Sequence, residues 1–127
     1  MKLPIAAGLA TISLAACSTP PSGHTTTTHD GAYLVRWNTT GGHAIELDEY
    51  FAIRAKVSPQ AERVRIDALM PSHRHGMVND ATMQHEADGH WVAADMLFHM
   101  PGHWRVRFDI TDDNGTVHRA EADVELE

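Results

Sequence analysis

The chain has 127 residues, 17 acidic against 10 basic side chains, 10 histidines and a formal net charge of −7. That length suits a single domain with a sizeable core, and the acidic balance argues against nucleic acid and anionic lipid as partners. The one cysteine, Cys17, cannot form an internal disulfide, so stability must come from packing.

Residues 1–16 combine a positive start at Lys2 with an apolar run from Ile5 to Ala16. This is the pattern of a signal peptide, too short to span a membrane. Leu14-Ala15-Ala16-Cys17 resembles the lipobox of bacterial lipoproteins. The resemblance implies cleavage before Cys17, acylation of that cysteine and attachment to the membrane through its lipid. Ser18 stands where an Asp would favour inner-membrane retention, so the expected location is the outer membrane, facing the periplasm. Residues 17–31, rich in Pro, Ser, Thr and Gly, read as a flexible tether, with His24 and His29 as solvated linker residues.

The folded domain is expected over 32–127. Alternating apolar residues predict strands at 32–37 (Tyr33, Val35, Trp37), 50–57 (Phe51, Ile53, Ala55, Val57) and 63–70 (Val64, Ile66, Ala68, Met70). A short edge strand is expected near 82–86. Another covers 90–98, where Ala93-Ala94 blurs the alternation. Strand 103–111 points Trp104, Val106, Phe108 and Ile110 inward, and 116–126 does the same with Ala120, Ala122, Val124 and Leu126. Between the last two, Asn114-Gly115 is the strongest hairpin signal, since it tolerates positive φ at both turn positions. About seven strands without a helix predict an all-β fold, an immunoglobulin-like antiparallel β-sandwich.

Every methionine after Met1 lies between Met70 and Trp104, as do six of the ten histidines. In an immunoglobulin-like strand order, the connections 71–81 and 99–102 meet at one pole, where His43 of the first connection can join them. His73-x-His75 places two imidazoles on one side of an extended segment. His99, Met100 and His103 surround a Pro-Gly corner. Imidazole and thioether together suit copper, whereas a structural zinc site would more often use cysteines. The candidate ligands are His73, His75, Met77, His99, Met100 and His103. Met70 and Met96 occupy strand positions and read as core fillers, His90 and His118 read as surface strand residues, and Met83-x-His85 is a weaker same-face pair. One alternative is that Met-Pro and Met-Pro-Gly are structural corners that hold two loops together, with the histidines hydrogen-bonding backbone; another is a metal-free interaction module that contacts an envelope or membrane-protein partner through the same loops. No nucleophile elbow, phosphate loop or His-Glu-x-x-His motif supports catalysis.

Met70-Pro71-Ser72-His73-Arg74-His75-Gly76-Met77, Gly89-His90-Trp91 and Met100-Pro101-Gly102-His103-Trp104 resemble the YtkA-like and FixH-like pattern over roughly residues 45–126. The resemblance implies an immunoglobulin-like sandwich, an envelope location and a role in metal handling, copper above all. The matching positions are His73, His75, Met77, Met100, Gly102 and Trp104. FixH-type members carry a transmembrane helix, where this chain carries a lipobox. The expected role is copper sequestration or delivery to an envelope protein.

Overall fold

A computed structural model describes residues 23–127. The expected signal peptide over 1–16 and the expected lipidation site at Cys17 lie outside the described residues. Nine strands form two antiparallel sheets: β1 (His24–Thr27), β2 (Leu34–Thr39), β3 (Tyr50–Ser58), β4 (Arg63–Met70), β5 (His75–Gly76), β6 (Thr82–His85), β7 (Trp91–Leu97), β8 (Gly102–Thr111) and β9 (Val117–Leu126). One sheet runs β1-β2-β3-β7-β6 and the other β5-β4-β8-β9. Without β1 and β5, this is the four-plus-three strand order of an immunoglobulin constant-type sandwich. Among the described residues, no helix is long and apolar enough to cross a membrane.

The alternating residues do what their period requires. Val35, Trp37, Ile53, Ala55, Val64, Ile66, Trp104, Val106, Phe108 and Ile110 are buried between the sheets. Met70 and Met96 are fully buried as core fillers. On the outer face of the second sheet the intervening residues form cross-strand ion pairs. Arg107 grips Asp67 through two bonds of 2.9 and 3.0 Å, and Arg119 grips Asp109 through bonds of 2.7 and 3.0 Å. Opposed charges on neighbouring strands hold register as well as contributing energy.

Three local expectations are corrected. The stretch read as tether contributes β1, which pairs with β2 in the register His24↔Trp37 to Thr27↔Leu34. A row of threonines has no apolar alternation to betray it. It is held by backbone pairing, by the Thr26 hydroxyl donating to the Glu121 carbonyl (2.8 Å) and by the His29 amide donating to the Arg119 carbonyl (2.9 Å). The blur in β7 is a bulge: Phe51 pairs with Met96 but Ile53 with Ala93, and Asp95 takes φ 61°. The extra residue moves the inward face from Ala93 to Met96. In the β8–β9 turn only Gly115 has positive φ (83°). The turn spans 112–116, and the Asp112 carboxylate accepts from the Asn114 and Thr116 amides at 2.9 Å each.

Candidate metal centre

The strand order brings three connections to one pole: 40–49, 71–81 and 98–101. The Asp48 amide donates to the Phe98 carbonyl (3.0 Å), joining the first to the third. After Met70 the chain turns at once. The amides of His73 and Arg74 donate to the Met70 carbonyl (3.2 and 3.0 Å), and Arg74 adopts φ 56°. That reversal lays His75 and Gly76 back against Met70 and Leu69 as β5. The side chain of Asn79 donates to the carbonyl of Asp95, and the Thr82 hydroxyl donates to the Asp95 carboxylate (3.1 Å), so the β7 bulge anchors the far end of the same loop.

His75 packs against both His73 and His99. The ring centroids of His73 and His75 are 5.6 Å apart, and those of His75 and His99 5.4 Å. Two imidazoles on one ion, at a metal–nitrogen distance of about 2 Å, bring their centroids to roughly 5–6 Å. Trp104 lies beneath them, with centroids 6.2 Å from His75 and 5.6 Å from His99 at steep angles. Its other neighbour is Phe98, stacked at 4.3 Å. The indole N–H donates to the Met100 carbonyl (2.9 Å) and so fixes the corner that presents His99 and Met100. Met77 and Met100 are half-buried against the core. Gly102 sits at φ 123°, and a Cβ there would fall 3.1 Å from the Met70 methyl, so a side chain at this corner would be strained.

The proton positions fit a ligand role. His75 Nδ1 lies 3.0 Å from the Gly76 carbonyl, which can only accept, so this nitrogen carries the proton and Nε2 of the neutral ring keeps its lone pair. His99 Nδ1 is buried without a hydrogen-bond partner, a condition that buried polar atoms rarely tolerate. A soft cation shared by these imidazoles and by Met77 or Met100 would suit that donor set. Among the described residues, no three His, Cys, Asp or Glu side chains form a ready-made metal cage.

The other expected ligands are elsewhere. His103 alternates with Trp104 and therefore faces outward, where its Nε2 lies 2.9 Å from Asp123. Together with Arg105, the larger influence, it holds the Asp123 carboxyl below its usual range. His43 folds over Gly41 and lines a cleft with His24, Trp37 and Asp123. His85 stacks on Trp91 at 3.8 Å, and His90 lies 3.0 Å from Asp88. His118, expected on the surface, shares the inward parity of Ala120; its side chain is 13% exposed and lies between two aspartates. Trp104, a matching position of the motif resemblance and an expected core residue, lies under the site as well as in the core.

Neither a family model nor a curated protein nor a solved structure matches this chain.

Proposed function

We propose that the chain is a cell-envelope lipoprotein that binds copper at the pole formed by residues 71–81 and 98–101, for sequestration or delivery to a partner protein. The observation that carries this reading is the packing of His75 against both His73 and His99, with the buried His99 Nδ1 left without a protein partner. His73, His75 and His99 would hold the metal, and Met77 and Met100 would supply soft sulfur favouring copper(I). Bound copper would supply a redox-active soft cation. The chain's own residues do the positioning: Gly76 orients His75, and Trp104 holds the Met100 corner. No substrate turnover is part of this reading. The lipobox and Ser18 support outer-membrane attachment through Cys17. The YtkA-like resemblance rests on the motif residues.

The metal-free interaction module is the second reading. It is favoured by Leu47, Tyr50 (69% exposed) and Val78 (68% exposed), large apolar side chains on or beside the same polar loops. A copper(I) titration in competition with a chromogenic chelator, under reducing conditions, separates the two. Tight one-to-one binding that is lost in His73→Ala, His75→Ala or His99→Ala supports the metal centre. Failure to withdraw copper from the chelator at micromolar metal ends it in favour of the interaction module.

A further inference from the structure

At the pole opposite the histidine cluster, His118 lies between two carboxylates. Its Nδ1 is 2.5 Å from Asp30 and its Nε2 3.0 Å from Asp112. Both ring nitrogens therefore face acceptors, an arrangement only the imidazolium satisfies. The three groups come from three elements: Asp30 from the turn between β1 and β2, Asp112 from the turn between β8 and β9, and His118 from β9 itself. Tyr33 packs its ring 5.0 Å from the imidazole. Asp30 is itself gripped by the Thr28 hydroxyl (2.8 Å) and the Ala32 amide (3.1 Å), so it is held in place by its own turn.

The strand tied down by this arrangement belongs to the first sheet and touches the edge of the second. β1 pairs with β2 in the first sheet. Through Thr26 and His29 it also occupies the outward carbonyls of Glu121 and Arg119 on β9, the edge of the second. Covering an exposed edge in this way blocks pairing with other chains. Little apolar surface on β1 is buried, since its residues are exposed or half-exposed. Its attachment therefore leans on hydrogen bonds and on the charged group at its end.

We propose that Asp30, His118 and Asp112 form a proton-operated clasp that fastens β1 across the edge of the sandwich, and that deprotonation of His118 loosens the strand. Freeing residues 24–30, up to the buried Tyr33, would lengthen the chain leading into the remaining fold by roughly 20–25 Å and uncover the β9 edge. The charged groups around His118 agree with this. Asp112 first, then Asp30, raise its pKa above 6.5, against an opposing contribution from burial. Asp30 is lowered to about 2, chiefly by the Thr28 hydroxyl, with the Ala32 amide and His118 adding to it. Asp113 also faces Tyr33. The clasp is thus complete below the ordinary histidine value and is lost as pH rises through the raised value. His29, 3.9 Å from Glu121, is the one other histidine on the strap's turn.

Hydrogen exchange of the Thr28 and His29 amides in the full-length protein tests this, corrected for the intrinsic rate and referenced to the central strands β3 and β8. Between about pH 5 and pH 9, protection should fall about tenfold for each unit by which the His118 value is raised. His118→Gln should make protection independent of pH, and His29→Gln should leave the wild-type dependence intact. Should His118→Gln fail to fold, Asp30→Asn should shrink the pH dependence instead. Protection that stays flat in the wild type overturns the clasp. So does a pH dependence that survives His118→Gln or disappears in His29→Gln.

Discussion

Trp104 ties the core to the histidine pole, and its replacement separates those two duties. The ring is fully buried, stacked on Phe98 at 4.3 Å, and its N–H holds the Met100 carbonyl at 2.9 Å. Trp104→Ala removes the ring and leaves a cavity, a change that costs ~3–5 kcal/mol in a closely packed core. The Met100 carbonyl also loses its donor, a bond worth ~0.5–1.5 kcal/mol. Trp104→Phe keeps an aromatic ring over Phe98 but loses that bond and some volume, so it should cost about 1–2 kcal/mol. Urea denaturation of both variants without metal, fitted with a common m-value, gives the two numbers directly. A Trp104→Ala cost below about 1 kcal/mol would refute the reasoning, because it would mean the site collapses around the missing ring. Equal costs for the two variants would show that the indole bond, and not the buried ring, dominates.

The double variant His73→Ala/His75→Ala should lose copper in the chelator competition while its metal-free stability stays within about 0.5 kcal/mol of the parent, since both side chains are partly or fully solvent-exposed. A large metal-free loss would favour the structural-corner reading. Gly102→Ala forces a Cβ to 3.1 Å from the Met70 methyl at φ 123° and should cost more than about 1 kcal/mol in the same denaturation assay. On the acid side, Asp30, Asp88, Asp112 and Asp123 all titrate below the ordinary aspartate value of 3.8. A carboxyl lowered in the fold stabilises it above the unfolded value and ceases to as pH falls through the folded one. Thermal melts should therefore drop steeply from about pH 4 towards pH 2, and Asp30→Asn with Asp112→Asn should flatten the drop.

Most of the fold was legible in the chain. Period-two runs such as Val64-Ile66-Ala68-Met70 and Trp104-Val106-Phe108-Ile110 state their strand and its inward face at once, because burying one side of a strand needs an apolar residue at every second place. Five such runs, with two less regular strand segments and polar turns between them, leave few layered solutions besides a sandwich. β1 was not legible, because its attachment is by backbone pairing and hydroxyls, to which hydrophobic periodicity is blind. The β7 bulge was visible only as a blur at Ala93-Ala94. A single extra residue changes the face of everything after it, yet no local composition marks it.

The candidate site divides in the same way. The residue types and their crowding between Met70 and Trp104 came from the sequence alone, and so did the meeting of two connections at one pole, given the strand order. The selection among the histidines came from tertiary structure. His103 and His99 flank the same corner, but strand parity sends His103 out to Asp123, while His99 turns towards His75 and Trp104. His118 reads as one more polar residue on a strand. Only the closing of the sandwich puts Asp30 and Asp112 on its two nitrogens. Periodicity reports which face a side chain takes; what waits on that face is set by residues distant in the chain, and only the folded packing brings them there.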